Sequence, residues 1–360
     1  MISSHETILT IDFNKLEHNF NYLKSKLNSD CKIIAVVKAF AYGHGDIEIA
    51  KKLEKLGVYA LWVADFEEGI NLRKSGIKIP IIIANPGYKS IDKIIKYKLD
   101  VVIYNLLLLD YFIEKKEEIN IHIKYNSGMN RYGFDKNETD ILLEKLQNNS
   151  FLKIKSVCSH LACTDDKKMN DDTIKQIHLF NFICHDFDKG MKLKIDKHIL
   201  NTNGLLNFPE HQLEMVRIGI GIYGSTKDKK TKQISNLKSI ICQNRNIKKG
   251  EKVGYSSSFI AEKDMNISIV PVGYADGLNR KLGDGKGEVV IRNILCTIIG
   301  KISMDSFMVD TSKVKAKVGD SVEIFGENNT VIKMAEKLNT IPYEVYATLN
   351  RRIKRVYIDN

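Results

Sequence analysis

Eight short, nearly continuous apolar runs fill the first 225 residues and leave the chain few folds to choose from. They are Ile33–Val37, Ala60–Val63, Ile79–Ala84, Val101–Tyr104, Ile119–Ile123, Ile154–Val157, Ile195–Leu200 and Val216–Ile222. Runs without polar alternation predict strands buried on both faces of a parallel sheet. Helical stretches separate them. Phe13, Leu16, Phe20, Leu23 and Leu27 recur at helical spacing behind Asp12, a suitable N-cap. Further helices fit Ile47–Leu56, Glu67–Lys74, Ser90–Lys98, Leu106–Glu117, Glu138–Asn148 and Asp172–Asp188, with a short one after Asn203. Eight such alternations predict an α/β fold, an N-terminal (β/α)8 TIM barrel. The competing doubly wound open sheet normally carries a Gly-rich first turn. Here the first strand runs into Lys38-Ala-Phe-Ala-Tyr-Gly-His-Gly45, which is not G-x-G-x-x-G.

Beyond Tyr223-Gly224 the pattern changes. The Lys-rich stretch Thr226–Gln233 reads as a linker. Strand-like runs follow at Leu237–Cys242, Ile267–Val272, Val289–Ile291, Leu295–Ile299, Phe307–Val309 and Val322–Phe325, broken by Asp-Gly turns. Two short helices fit Val331–Leu338 and Tyr343–Asn350. The division expected is a barrel over 12–225 and a smaller, mainly β domain over 226–360, joined by the N-terminal strand 1–11.

Formal net charge is +11, from 55 Lys+Arg against 44 Asp+Glu. Only nine of those cations are arginine, and the lysines are scattered through every segment. Nucleic-acid readers lean on Arg for bidentate base contacts, so the charge reads as a solvated coat and no nucleic-acid partner is expected. No run approaches the ~20 apolar residues of a bilayer span. The N-terminal residues lack a signal-peptide pattern, and none of the six cysteines forms a C-x-x-C pair. Free thiols and a cytoplasmic location are expected, with no metal site.

In a barrel the working residues lie where strands end. The first strand ends at Lys38. The fifth reaches Lys124 and then Asn126-Ser-Gly-Met-Asn-Arg131. The sixth ends in Ser159-His160, the seventh in Asn201-Thr202, and the eighth carries Arg217-Ile-Gly-Ile220. A lysine at a buried strand end has a depressed pKa and suits Schiff-base chemistry. Backbone N–H groups after the last two strands are a usual phosphate site in barrels. Together they point to pyridoxal phosphate.

Ala35-Val-Val-Lys-Ala-Phe-Ala-Tyr-Gly-His44 resembles the signature of the alanine racemases, fold-type III pyridoxal-phosphate enzymes. Gly128-Met-Asn-Arg131, Ser159-His-Leu-Ala162, Arg217-Ile-Gly-Ile-Gly-Ile-Tyr-Gly224, Val253-Gly-Tyr255, Val272-Gly-Tyr-Ala-Asp-Gly277 and Gly300-Lys-Ile-Ser-Met-Asp305 resemble further motifs of that family, in the same order along nearly the whole chain. The resemblance implies a homodimer that interconverts L- and D-alanine with two bases and supplies D-alanine for peptidoglycan. It implies Lys38 as the cofactor's Schiff-base lysine and one base, and Tyr255 from the partner subunit as the other. Arg217 would donate to the pyridine nitrogen, and Arg217 and His160 would form the network that favours the Tyr255 phenolate. Tyr42, Asn201, Thr202, Gly219 and Ile220 would lie around the cofactor, with Tyr42, Thr202, Gly219 and Ile220 on its phosphate. Arg131 would meet the phenolic oxygen and the substrate carboxylate. Met304 would offer its N–H to that carboxylate, and Tyr274 would narrow the entrance. Lys124 matches a lysine that is often carbamylated. His44 and His198 would be supporting groups.

The sequence departs from the family at Phe40, at Asn126-Ser127 and at Asn350-Arg351. These departures touch the carbamate and substrate preference and remove neither base. A racemase of another amino acid, such as serine, is the nearest alternative, because one added hydroxyl is hard for a small pocket to reject. A non-catalytic pyridoxal-phosphate carrier is the alternative of another class, and the β domain with Tyr255 argues against it. A decarboxylase of the same fold type is disfavoured by Arg217.

Overall fold

The computed structural model describes residues 4–359. Met1–Ser3 of the expected N-terminal segment, and Asn360, lie outside the described residues. The chain divides into two compact units. One holds Phe20–Ala41 and Asp46–Ile222; the other holds the residues up to Asn19, Tyr42–Gly45 and Tyr223 onward.

After β1 (Ile8–Asp12), all eight expected barrel strands form, as β2 (Lys32–Val36), β3 (Ala60–Val63), β4 (Ile81–Ile83), β5 (Asp100–Ile103), β6 (Ile119–Lys124), β7 (Leu152–Cys158), β8 (Lys197–His198) and β9 (Met215–Ile218). They make one sheet in the order β8-β7-β6-β5-β4-β3-β2-β9, every pairing parallel. Across the β8–β9 seam the Arg217 N–H donates to the Leu200 carbonyl at 3.0 Å. The apolar runs are buried as their composition demands: Ile34, Leu61, Ile81, Val101, Ile121, Val157 and Val216 have almost no accessible surface.

The last strand is shorter than its apolar pattern suggested. It stops at Ile218, and Gly219–Gly224 turns instead. Adding a Cβ at Gly221 would put it 2.6 Å from Thr202 Cγ2, so this turn lies tight against the end of β8.

A second difference follows Lys38. Ala39, Phe40, Ala41 and Tyr42 have φ of 53, 56, 51 and 53°. This is one turn of left-handed helix built without glycine, a conformation costing about 1–2 kcal/mol per residue. Two bonds hold its start: Ala41 N–H to Val37 O at 2.9 Å, and Ala39 N–H to Glu68 Oε1 at 2.6 Å.

The other unit is built on strands β10 (Ser235–Ile240), β11 (Gln243–Ile247), β12 (Lys252–Val253), β13 (Phe259–Ile260), β14 (Met265–Val270), β15 (Glu288–Ile291), β16 (Ile294–Ile299), β17 (Phe307–Asp310), β18 (Ser321–Phe325) and β19 (Lys354–Ile358). Nine strands form one sheet, β11-β14-β17-β16-β15-β18-β10-β1-β19, and β12-β13 is a separate hairpin. β1 is antiparallel to β10 and parallel to β19. Asp12 caps the helix that follows, accepting from Asn14 and Lys15 N–H at 2.9 and 3.0 Å. Thr226–Gln233 is not a loose tether, because Asn19 binds both Lys232 O and Lys232 N, at 2.8 and 2.7 Å.

The six cysteines are free thiols. Among the described residues no cluster could hold a metal ion, and no helix is long and apolar enough to cross a membrane.

Candidate active site

A parallel barrel brings the C-terminal ends of its strands to one rim. Lys38 stands two residues past β2, Lys124 closes β6, His160 lies two residues past β7, and Asn201 and Thr202 follow β8. Arg217 belongs to β9 and is only 5 % exposed. Its guanidinium is held entirely by neutral acceptors. One terminal nitrogen donates to His198 Nδ1 and to His198 O at 3.3 Å. The other donates to Ser159 O at 2.6 Å, His160 Nδ1 at 3.0 Å and Ile199 O at 3.2 Å. Trp62, the one tryptophan, lies on β3 with its ring 5.4 Å from Arg217 Cζ, in cation–π range. A buried guanidinium with no carboxylate among its partners is a fixed cation awaiting an acceptor.

The surrounding electrostatics follow from that cation and from burial. Lys38 has a lowered pKa, first because its amine loses water, then because Arg131 is near; Glu68 opposes the shift and Arg217 adds to it. Lys124 is pushed down to about 8, chiefly by desolvation, with Arg217, Arg131 and Lys38 contributing. His160 falls well below its ordinary value through desolvation and then through Arg217, Lys124, Arg131 and Lys38. His198 does the same, with Arg217 its largest charged neighbour. The rim thus holds permanent cations, two imidazoles kept neutral, and two amines whose charged forms are disfavoured.

The ends of β8 and β9 are stitched together. Asn201 caps the helix Thr202–Asn207, accepting from Gly204 N–H at 2.8 Å. The Thr202 hydroxyl accepts from Gly219 N–H at 3.1 Å and Gly221 N–H at 3.4 Å. Ile220 between them is buried. Hydroxyl and backbone N–H groups are therefore gathered where a barrel offers its phosphate site.

The loop after β6 is organised by Asn126. Its carbonyl accepts from Gly128 and Asn130 N–H at 3.1 and 3.0 Å, and its amide donates to Asn130 and Asp135 at 3.0 and 3.1 Å. Lys124, Asn126, Met129, Arg131, Tyr132 and His160 line a narrow crevice with no room for a water molecule. Lys124 Nζ lies 5.6 Å from the centre of the Tyr132 ring.

Four of the expected site residues belong to the other unit. Tyr42 is buried there between Tyr223 and Tyr343, with ring centres at 4.7 and 5.6 Å. Tyr255, Tyr274 and Met304 are 66, 43 and 54 % exposed. The Tyr274 and Met304 loops are zipped to each other: Tyr274 N–H donates to Ser303 O at 3.1 Å and Ala275 N–H to Met304 O at 3.0 Å. Arg352 pins both, binding Asp276 at 2.6 Å and Asp305 at 2.7 Å.

Sequence reasoning missed two supports. Glu68 ties Ala39 and Ala64 N–H together at the ends of β2 and β3, at 2.6 and 2.7 Å. It sits on a helix among other acids, so nothing in its spacing marks it. Trp62 lies inside an apolar run, and its rarity was the only available signal.

Residues 11–227 match the family model of the alanine racemase N-terminal domain and residues 234–357 that of the C-terminal domain. The chain is similar to the alanine racemase of Clostridium tetani, at 35 % identity over 370 residues, covering 97 % of this chain and 94 % of that one. Among solved structures it resembles the Clostridium difficile 630 alanine racemase, with TM-score 0.93, 32 % identity, and coverage of 99 % of this chain and 97 % of that one. It also resembles the Bartonella henselae alanine racemase with covalently bound pyridoxal phosphate, with TM-score 0.90, 27 % identity, and coverage of 98 and 100 %. The two family models together span nearly every described residue of both units, and the chain belongs to the alanine racemase family.

Proposed function

We propose that this chain is a cytoplasmic, homodimeric, pyridoxal-phosphate-dependent alanine racemase that supplies D-alanine for peptidoglycan. The observation that carries the reading is the convergence of Lys38, Arg131, His160 and Arg217 on one barrel rim, with Arg217 buried against neutral acceptors alone. The residues fit the cofactor. Lys38 is an amine whose charge is disfavoured, suited to the aldehyde. Thr202, Gly219, Ile220 and Tyr42 are assigned to the phosphate, with Asn201 capping the helix beside it. Arg131 is assigned to the phenolic oxygen and the substrate carboxylate, and Arg217 to the pyridine nitrogen. Bound pyridoxal phosphate supplies delocalisation of the negative charge that develops at the substrate Cα.

The protein's own task is then to move protons at that carbon. Racemisation needs one group to remove a proton from one face and another to return one to the opposite face. Lys38 serves one face. Tyr255 serves the other, donated by a second copy of the chain, for which its exposure in this unit leaves it available. A phenol with an ordinary pKa near 10 is a weak base unless cations favour its phenolate, and Arg217, acting with His160, provides that cation. Arg217 cannot give up its proton, so at the pyridine nitrogen it would act as a hydrogen-bond donor and not as an acid, and the bound group would supply a moderate electron sink. The Met304 N–H is assigned to the substrate carboxylate and Tyr274 to the entrance. Lys124 is assigned as a carbamylated support for Arg131.

The test is incubation of the cofactor-loaded protein with L-alanine in deuterated water, reading D-alanine and Cα deuterium, with L-serine in parallel. Racemisation with exchange is expected for alanine, and no exchange with cofactor bound rejects the reading. Faster turnover of serine moves the assignment to that substrate. Tyr255→Phe is expected to cripple proton removal from one enantiomer far more than from the other, and equal losses overturn the two-base assignment.

A further inference from the structure

The barrel interior carries a line of polar residues that the proposed chemistry does not use. Barrel cores are usually layers of branched apolar side chains. Here β5, β6, β7 and β8 contribute Asp100, His122, Ser156 and His198, all buried. Ser156 Oγ lies 2.6 Å from His122 Nδ1 and 3.0 Å from His198 Nε2. His122 Nε2 has no hydrogen-bond partner and faces Asp100 Oδ2 at 3.6 Å. Asn120 holds the other Asp100 oxygen at 3.0 Å. At its far end the line meets Arg217 through His198 Nδ1.

The direction of every bond in this line follows from the one group that cannot accept. A guanidinium only donates, so His198 Nδ1 is an acceptor, and neutral His198 carries its proton on Nε2. That proton goes to Ser156 Oγ. The serine's own proton is then left for His122 Nδ1, which places the His122 proton on Nε2, aimed at the Asp100 carboxylate. Reversing the serine would set two unprotonated nitrogens on His198 or turn a His122 lone pair toward the carboxylate.

We propose that Asp100, His122, Ser156 and His198 form a one-way chain of donors, anchored on a buried carboxylate, that positions Arg217 for the pyridine nitrogen. None of the four touches substrate or cofactor; they are positioning residues. The chain gives the His198 Nε2 proton that Arg217 dictates a buried acceptor, holds the ring in place, and polarises its acceptor nitrogen toward the guanidinium. It rests on the assignment of Arg217 made above, yet its geometry is testable without cofactor.

Two readouts on cofactor-free protein test it directly. In protein labelled with 15N-histidine, His198 and His122 should both be Nε2–H tautomers with slowly exchanging ring protons, assigned by single substitutions. Trp62 packs on both Arg217 and His198, with ring centres 5.9 Å apart for the latter, so the emission of the one tryptophan reports on the same place. Ser156→Ala should remove the slowly exchanging His198 proton and shift the Trp62 emission. In the loaded enzyme it should lower kcat about tenfold with KM for alanine unchanged, the size expected when a supporting shell is cut. Ser156→Thr, which keeps the hydroxyl, should restore the proton signal and kcat together. A His198 found as the Nδ1–H tautomer overturns the proposal. So does a Ser156→Ala protein that unfolds more easily while its folded fraction keeps wild-type kcat. If the wild-type enzyme fails to racemise alanine, the functional reading falls while the tautomer result stands on its own.

Discussion

Replacing Lys124 with methionine should make the protein more stable and cofactor chemistry poorer. Lys124 titrates at about 8 against an ordinary 10.5, chiefly because its ammonium is desolvated at the end of β6. That difference corresponds to about 3 kcal/mol of penalty on the folded state, at 1.36 kcal/mol per unit. Lys124 is a base with a depressed folded pKa, so the penalty is fully present below about 8 and fades as pH rises toward 10.5. Against it stands the contact with the Tyr132 ring at 5.6 Å, worth about 0.5–1 kcal/mol. Lys124→Met is thus expected to gain about 2 kcal/mol at about pH 7, falling below about 1 kcal/mol at about pH 10. The assay is urea unfolding of cofactor-free protein in carbon-dioxide-free buffer, at one fixed protein concentration because assembly contributes to stability. A gain independent of pH, or a loss at neutral pH, refutes the electrostatic account. Bicarbonate supplies a second arm. Carbamylation turns this amine from cation to anion beside Arg131, Arg217 and Lys38, so bicarbonate should stabilise wild type and leave Lys124→Met unmoved. An equal response of both proteins refutes the carbamate.

Glu68→Gln should lose one of the two bonds to Ala39 and Ala64 N–H, since an amide offers a single acceptor; about 1.5–3 kcal/mol of stability is expected to go, read by urea unfolding, with kcat falling as the turn after Lys38 loosens. Gly43→Ala should be worse, because the residue sits at φ +76° and the new Cβ would lie 2.1 Å from Tyr346 O; a loss of more than about 2 kcal/mol is expected by the same measurement. Arg352→Gln should release Asp276 and Asp305 and so loosen the Tyr274 and Met304 loops, raising KM for alanine several-fold while the melting temperature barely changes, because the position is exposed.

The barrel was legible because both faces of its strands are buried, and burial on both faces writes itself as unbroken apolar sequence. The limits of that signal are physical too. Ile218, Ile220 and Ile222 continue the pattern of the last strand, but Gly219 and Gly221 let the chain turn where apolar count alone says strand. β11, Gln-Asn-Arg-Asn-Ile, is almost wholly exposed and offers no alternation to read. The left-handed turn after Lys38 contains no Gly or Asn among Ala39–Tyr42, so the usual markers of positive φ are missing, and the turn is held by tertiary contacts such as the Ala39 N–H bond to Glu68. In the site, Lys38, Lys124, His160 and Arg217 stood out because each interrupts or ends an apolar strand. His122, Ser156 and His198 interrupt strands in the same way, and that signal was present for the polar line as well. Glu68 acts through backbone N–H groups brought near by the fold, and no spacing rule announces such a contact.

The charge of the rim explains why so unfavourable a cluster persists. Desolvation lowers the pKa of Lys38, Lys124, His160, His198 and Arg217 alike, and among the carboxylates only Glu68 is set against Lys38. A fold optimised for its own stability would replace these groups with apolar side chains. Their shared feature is instead a capacity for negative charge: a phosphate, a phenolate, a pyridine lone pair and a substrate carboxylate each find a donor here in the assignment proposed. The unfolding penalty that Lys124 carries alone is the measurable share of that arrangement: an amine held out of water and set beside Arg217, Arg131 and Lys38.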